Sequence, residues 1–231
     1  MKLTPRLLNI AKMVAKGAIL ADIGTDHGYI PVYLMKNKIV KEAIAADVNK
    51  GPLLSAQKNI KSNGLEEYIE TRLGNGFEPI EPGEVDTAII AGMGGLLIRD
   101  ILMNRPEVTK SIKQFILQPM VAQDELRRWL YDNDFKIVDE KLVSEDHRIY
   151  EIIVAEHGHE IIEDEIYFEI GKKLIEHKDP LLEMFIKKHI KKQEDIIHNL
   201  INQDTDKAKN KLKECKAKIH KFEEVLLWLK N

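Results

Sequence analysis

Short apolar runs and helical patterns alternate along the chain from residue 18 to residue 154. The apolar runs have the length and composition of strands buried in a sheet. They predict seven strands: Ala18–Ile23, Ala43–Val48, Ile69–Leu73, Val85–Ala91, Phe115–Gln118, Lys136–Val143 and Tyr150–Val154. Apolar residues at helical spacing predict four helices between the strands: Ile30–Asn37, Pro52–Asn63, Leu96–Asn104 and Ala122–Asp132.

A further helix is predicted before the first strand. Thr4 suits an N-cap, and Pro5 suits the first helical position because its missing N–H has no partner there. Apolar residues then fall on one face, and Gly17 is the expected end of the helix.

The connections between strands determine the sheet. Five strands joined mostly by helices require right-handed crossovers and parallel pairing. The last two strands are joined without room for a helix, so they should form an antiparallel pair at one edge. The predicted fold class is therefore α/β, a doubly wound sheet whose last strand is antiparallel.

The pattern changes after Val154. One segment carries apolar residues at helical spacing: Leu182, Phe185, Ile186, Ile190, Ile197, Leu200 and Ile201. After polar residues 202–206, a second segment has a coiled-coil seam: Leu212, Cys215, Ile219, Phe222, Leu226 and Leu229. Two such helices should fold back as an antiparallel hairpin. We therefore predict one domain over residues 1–155 and a helical, coiled-coil domain over residues 156–231.

Composition narrows the class of protein. Apolar residues make up 44% and charged residues 32%, which suits a folded core with a solvated surface. No apolar run approaches the length of a membrane span, and the N-terminus does not have the pattern of a signal peptide. The single cysteine excludes an intrachain disulfide and a cysteine-rich metal site, and the histidines lack ligand spacing. We therefore expect a cytoplasmic protein with no membrane or metal partner.

The net charge of −3 neither indicates nor excludes binding of nucleic acid, because a local basic face can coexist with a nearly neutral total charge.

The candidate ligand-binding residues lie at the ends of the predicted strands. Residues 22–28, DIGTDHG, follow the first strand and precede a helix. The sequence fits D-x-G-x-x-x-G, a turn used for S-adenosylmethionine, rather than the G-x-G-x-x-G of dinucleotide sites. Asp22 and Asp26 are candidates to orient the α-ammonium of this ligand. An ordinary turn with a capping aspartate is the alternative.

Three other strand ends support a nucleoside-bearing ligand. Asp47 ends the second strand and can accept both ribose hydroxyls, and Asn75 in the third turn can pair with an adenine edge. The glycines around Met93 indicate close approach to the backbone. Open α/β sheets bind ligands at this edge. The predicted cofactor-binding residues are Asp22, Gly24, Thr25, Asp26, His27, Gly28, Asp47, Val48, Asn75, Gly76, Gly92 and Met93.

The segments DIGTDHGYIP, AADVNKGPL, GNGF, IIAGMGG and ILQP resemble the bacterial TrmK-type tRNA adenine N1-methyltransferases, which methylate adenine 22 of tRNA. The N-terminal Pro-Arg-Leu and the helical tail are similar too, so the resemblance spans nearly the whole chain. Thr25 stands where the family has serine, Gly28 where alanine is usual, and Met120 where asparagine is common. The resemblance implies a Rossmann-like methyltransferase sheet, S-adenosylmethionine as cofactor and tRNA as partner.

The methylated atom, N1 of adenine, carries no proton at neutral pH, so its attack needs no general base. Alignment of the reacting atoms is then the main task of the protein. Tyr29 is the leading candidate to position the base, and a buried core tyrosine is the alternative. Arg6 is a candidate to hold an RNA phosphate or the cofactor carboxylate, and a surface arginine is the alternative. Asp26 and His27 are possible contacts to cofactor or base.

The helical tail carries lysines that either contact tRNA phosphates or keep the surface soluble: Lys187, Lys188, Lys191, Lys192, Lys207, Lys211, Lys218 and Lys221. Two other functions stay open on the residues alone. One is a small-molecule methyltransferase of the same fold. The other is a non-catalytic S-adenosylmethionine-binding protein that dimerises through its hairpin. For the methyltransferase, we expect a monomer or a weak dimer.

Overall fold

The structure is a computed structural model that describes residues 2–230. Its contacts divide the chain into two compact units between Ile161 and Ile162. The division lies a few residues beyond the boundary placed at 155/156, because the last strand continues to His157.

Over its described residues, 2–161, the first unit contains seven strands, β1 to β7: Ala18–Ile23, Val40–Asp47, Ile69–Leu73, Thr87–Met93, Gln114–Pro119, Phe135–Glu145 and Arg148–His157. Six helices accompany them, α1 to α6: Pro5–Lys12, Tyr29–Lys36, Lys50–Ser62, Gly95–Asn104, Pro106–Ser111 and Gln123–Asp132. All seven predicted strands and the four helices predicted between them are present, with bounds that shift by a few residues.

The strands form one sheet in the order β3-β2-β1-β4-β5-β7-β6. Strands β1 to β5 pair in parallel, and β7 is antiparallel to both β5 and β6. The predicted doubly wound α/β sheet with a reversed last strand is therefore confirmed. The reversed strand does not form the edge itself, because β7 inserts between β5 and β6 and leaves β6 outermost.

Parallel strands covered on both faces explain why the sequence shows continuous apolar runs. The segments Ala43–Ala46, Ala88–Ile90 and Phe115–Leu117 are buried throughout. A buried ion cluster lies beside this core. The guanidinium of Arg127 in α6 donates to Glu140 in β6 and to Glu151 in β7, each at 2.7 Å. This cluster ties α6 to the antiparallel strands.

Two expectations for the helices need correction. Helix α1 begins as predicted, with the Thr4 hydroxyl accepting from the Leu7 N–H. It ends at Lys12 rather than at Gly17, whose φ of 85° instead turns the chain into β1. Helix α5 was not predicted, since six residues are too few to show helical spacing.

The second unit contains α7 Ile166–Ile170, α8 Lys172–Glu176, α9 Leu182–Leu200 and α10 Asp206–Lys230. Helices α9 and α10 pack as an antiparallel hairpin, with the rings of His189 and Phe222 5.7 Å apart. All six seam residues of α10 are buried or half-buried, and Cys215 is a buried packing residue. Ile201 does not join the apolar face: it follows the last turn of α9 and is 63% exposed. A coiled coil stays a prediction.

Within residues 2–230, no helix is long and apolar enough to span a membrane.

Candidate functional site

The carboxyl ends of β1 to β5 lie at one edge of the sheet, as parallel pairing requires. The turn of residues 22–28 and the three other candidate strand ends belong to β1, β2, β3 and β4. The order of the strands places all four next to one another. This edge is the usual ligand-binding position in open α/β sheets.

The turn after β1 is fixed by hydrogen bonds to the neighbouring strand. The N–H groups of Gly24 and Thr25 both donate to the carbonyl of Ala46, at 2.8 and 2.9 Å. Gly24 has a φ of 74°, and a Cβ there would lie 2.1 Å from Cε of Met93. A side chain at this position would therefore displace Met93, so the glycine keeps the turn close to the end of β4.

The turn then leads into α2. Gly28 is its N-cap, with a φ of 63°, and a Cβ on it would lie 3.3 Å from that of Ala56 in α3. Alanine, which the family resemblance implies at this position, would be strained by both the backbone and the contact. Glycine thus suits this chain's own packing.

Asp22 is buried beneath the turn. The Thr25 hydroxyl donates to its Oδ2 at 2.6 Å. Burial raises the pKa of the Asp22 carboxyl to about 6; the Thr25 hydrogen bond opposes this rise and the charge of Asp47 adds to it. The carboxylate is therefore ionised at neutral pH at a cost that a nearby cation would reduce.

This shift predicts pH-dependent cofactor binding. A ligand ammonium is attracted to ionised Asp22, so affinity for S-adenosylmethionine should rise as pH increases through about 6. Below that pH it should fall by up to about tenfold per unit, because binding must then release the proton. Calorimetry between pH 5 and 7 measures the effect. Asp22→Asn is the control, and a profile unchanged by that substitution would remove Asp22 from the interaction.

The ends of β2 and β3 supply the next candidates. Asp47 is half-buried, and its Oδ1 accepts from the Asn49 N–H at 2.6 Å. Val48 beside it is 59% exposed, which suits an apolar contact to a ligand. Asn75 is exposed, and Gly76 has a φ of 55°. A Cβ on Gly76 would lie 3.0 Å from Ile101 of α4, so this turn packs tightly against that helix.

The turns after β4 and β5 are joined to each other. The Gly95 N–H donates to the carbonyl of Val121, and the Met120 N–H donates to that of Met93, both at 2.8 Å. A Cβ on Gly95 would lie 2.2 Å from the carbonyl oxygen of Ala122. Glycine is therefore required where the two loops meet, which holds Met93 at the sheet edge.

Three exposed polar side chains lie at the start of α2. The rings of His27 and Tyr29 stack at 5.2 Å with 17° between their planes. Nε2 of His27 is 3.3 Å from Asp26 Oδ1. Tyr29 is 40% exposed, so it is not the buried core tyrosine of the alternative interpretation. An accessible aromatic ring at this edge can stack on a base.

Arg6 reaches the same edge from α1. Its Nη1 donates to Gln118 Oε1 at 2.8 Å, and its guanidinium lies 5.4 Å from the centre of the Tyr150 ring. A Cβ on Gly92 would be 3.8 Å from that Nη1. Arg6 is thus a half-buried residue of the site rather than a surface arginine.

Sequence reasoning missed three partners of Arg6: Gln118, Glu145 and Tyr150. Gln118 lies in ILQP, a segment that carries the family resemblance, so it had a signal. The other two lie on β6 and β7 and have no motif.

The side chains at this edge fit S-adenosylmethionine. Asp22, Asp26 and Asp47 place carboxylates at the edge, which suits a ligand with an ammonium group, a sulfonium and a ribose diol. Glycine-lined turns beside them allow close approach to the backbone. In residues 2–230, no group of three or more His, Cys, Asp or Glu side chains is placed to hold a metal ion.

Comparisons with known proteins agree with this geometry. A family model described as a methyltransferase domain matches residues 3–153. The chain is 36% identical over 235 residues to tRNA (adenine(22)-N(1))-methyltransferase from Bacillus subtilis, and the match covers 98% of each chain. The crystal structure of the B. subtilis m1A22 tRNA methyltransferase TrmK has a TM-score of 0.89 at 34% identity, covering 97% of this chain and 98% of that chain.

Another relative was solved with a bound cofactor product. The structure of M. capricolum TrmK in complex with S-adenosylhomocysteine has a TM-score of 0.86 at 31% identity, covering 97% of this chain and 99% of that chain. The similarity therefore extends over nearly the whole length of each protein.

Proposed function

We infer that this chain, which belongs to the family of bacterial tRNA (adenine-22-N1)-methyltransferases, transfers a methyl group from S-adenosylmethionine to N1 of adenine 22 in tRNA. The observation that carries the proposal is the match to the B. subtilis enzyme over 98% of both chains. Such coverage includes the helical second unit as well as the sheet, and a match through the common methyltransferase sheet alone would not.

We assign the cofactor to the turns at the carboxyl edge of the sheet. Asp22 and Asp26 attract the α-ammonium, Asp47 accepts the ribose hydroxyls, and Asn75 pairs with the adenine. The backbone of Gly24 and Gly28 allows close approach. The remaining assigned contacts are Thr25, His27, Val48, Gly76, Gly92 and Met93.

Methylation of adenine N1 requires no proton transfer by the protein. When bound, S-adenosylmethionine supplies an electrophilic methyl group, which the lone pair of adenine N1 takes as the carbon–sulfur bond breaks. No side chain has to act as a base, because N1 carries no proton at neutral pH. The residues of this chain therefore align the base and exclude water.

We assign that alignment to Tyr29, Arg6 and Asp26. The exposed ring of Tyr29 stacks on the target adenine after it leaves its helix. Arg6 offers donors to an anionic group beside the base. Asp26, 76% exposed, is an acceptor near the positive charge that develops on the adenine.

The second unit is our proposed contact to tRNA. Lys187, Lys188, Lys191 and Lys192 are exposed along α9. Lys187 and Lys191 pair with Glu183 at 2.6 Å and with Asp195 at 3.1 Å, but these are exposed pairs one turn apart on the same helix and contribute little. Two lysines of α10 are less suitable than the sequence indicates, because they pair with residues outside their helix, Lys218 with Glu169 and Lys221 with Asp164 at 3.1 Å. We therefore favour the α9 face for phosphate contacts.

This assignment predicts a change in salt dependence. Replacing Lys187, Lys188, Lys191 and Lys192 by alanine keeps helix propensity high and should lower the slope of log affinity against log salt by about one unit per lost contact. Filter binding of tRNA at several salt concentrations measures the slope. The matched control replaces four exposed lysines of the first unit, which lie at the amino ends of the strands: Lys36, Lys61, Lys110 and Lys113. Equal slopes in both variants would show that the α9 lysines are only solvated.

We also place the protein in the cytoplasm, where its tRNA substrate is found, and expect a monomer or a weak dimer. The apolar seam of the hairpin supports this expectation, since Cys215 and Phe222 are already buried within one chain. Sedimentation at increasing concentration tests the oligomeric state.

Methyl transfer to purified substrates tests the proposed function. The protein should bind S-adenosylmethionine in calorimetry and methylate a tRNA transcript that has adenine at position 22, and the same transcript with guanine there should stay unmethylated. Cofactor binding without methylation of any tRNA would favour the small-molecule methyltransferase or the non-catalytic binding protein.

A further inference from the structure

The carboxylate of Glu145 connects the first turn of α1 to the end of β6, the outermost strand of the sheet. Oε2 of Glu145, at the end of β6, accepts from the main-chain N–H of Arg6 at 2.7 Å. Its Oε1 lies 3.9 Å from Nε of the same arginine. A single glutamate thus contacts both the backbone and the guanidinium of a residue 139 positions away in sequence.

Partial burial strengthens the attraction between Arg6 and Glu145. The side chains of Arg6 and Glu145 are 23% and 16% exposed, so water screens their attraction less than it does at a fully exposed pair. Nε of Arg6 is buried and has no hydrogen-bond partner among residues 2–230, and the Glu145 carboxylate lies 3.9 Å from it. Removing that charge would leave a buried cationic donor without compensation.

Two other groups restrict the guanidinium. Gln118 accepts from Nη1 and the Tyr150 ring lies 5.4 Å away, while Gly92 at the end of β4 lies close to Nη1 without restricting it. Gln118 is itself fixed, since it is fully buried and its Nε2 donates to the Pro119 carbonyl at 2.9 Å. Arginine has many rotamers, and these contacts together select one.

We propose that Glu145 is a positioning residue for methyl transfer, which holds the Arg6 guanidinium at the ends of β4 and β5 so that its Nη2 donors face the substrate. The inference rests on the proposed function. Glu145 acts through Arg6, whose Nη1 is engaged by Gln118 and whose Nε faces Glu145.

The experiment is a double-mutant cycle with Glu145→Gln and Arg6→Ala. Glutamine keeps an acceptor for the Arg6 main-chain N–H and removes the charge. We expect Glu145→Gln to lower kcat for tRNA methylation by about tenfold to a hundredfold, the scale of a displaced contact. The dissociation constant of S-adenosylmethionine should not change. In the Arg6→Ala background, Glu145→Gln should cost nothing further, because residues that act as a unit are not additive.

Glu156→Gln is the matched control. Glu156 lies near the carboxyl end of β7, at the opposite end of the β6–β7 pair from Glu145. Its Oε2 is 3.6 Å from Lys136 Nζ, so Glu156→Gln removes the same charge from an ion pair away from the site. We expect it to leave kcat unchanged. The melting temperature should fall further in Glu145→Gln than in Glu156→Gln, because the Arg6–Glu145 pair is less exposed, so kcat is measured well below both transitions.

The outcomes separate the two claims. An active wild-type enzyme with unchanged kcat in Glu145→Gln, or additive effects in the double variant, would overturn the positioning role alone. An equal loss of cofactor affinity in Glu145→Gln would also overturn it, because Arg6 would then belong to the cofactor carboxylate. A wild-type protein that methylates no tRNA would overturn both the proposed function and this role.

Discussion

Replacing Asp47 by alanine is expected to weaken S-adenosylmethionine binding by about 2–3 kcal/mol, since hydrogen bonds from two ribose hydroxyls to a carboxylate are lost. This corresponds to about a 30- to 150-fold rise in the dissociation constant. Asp47 ends β2 beside the turn after β1, and one of its oxygens already accepts from the Asn49 N–H. Its charge is therefore fixed in place before the ligand arrives. Calorimetry at neutral pH measures the effect.

Asp47→Asn is the informative companion. It keeps a carbonyl oxygen for the Asn49 N–H, so the turn should retain its conformation, but it offers the ribose one acceptor oxygen instead of two. We expect an affinity between those of the wild type and the alanine variant. A dissociation constant unchanged in both variants would remove Asp47 from the cofactor site.

Replacing Tyr29 by alanine is expected to lower turnover by about a hundredfold while leaving cofactor affinity unchanged, because a misplaced base loses alignment with the methyl group. The ring is exposed and stacked on His27, so its removal opens no cavity in the core. Single-turnover methylation and calorimetry separate the two quantities.

Tyr29→Phe distinguishes the ring from the hydroxyl. Phenylalanine preserves stacking and should retain most activity if the ring positions the adenine. Equal losses of cofactor affinity and turnover in Tyr29→Ala would instead place the residue in the cofactor pocket.

The central strands of the sheet, such as β1, were predictable because they are buried on both faces and carry no competing pattern. The strand Ile69–Leu73 has the predicted bounds, and β1 does as well. The same logic placed the cofactor motifs at one edge, since parallel strands share the direction of their carboxyl ends. Where a segment is short, as in α5, no period can be counted and the helix is missed.

Contacts between distant positions were not predictable. Nothing in the sequence around Arg127 indicates that it is fully buried between Glu140 and Glu151, because charged residues in an amphipathic helix usually face water. Likewise, the sequence around Arg6 does not indicate its ion pair with Glu145. The pair forms because β6 ends at the same edge of the sheet that Arg6 reaches from α1. The cofactor residues found by motif therefore lie at or after the ends of β1, β2, β3 and β4, and the site residues that have no motif lie on β6 and β7.

The central claim is that this protein forms 1-methyladenosine at position 22 of tRNA. Its most direct test is to incubate unmodified tRNA with the purified protein and S-adenosylmethionine, digest the product with a base-specific nuclease, and locate the methyl group by mass spectrometry. The account predicts one added methyl group on the fragment that contains adenine 22, present as 1-methyladenosine and absent when guanine occupies that position. A methyl group on another nucleotide, on another atom of that adenine, or on no tRNA fragment at all would contradict it.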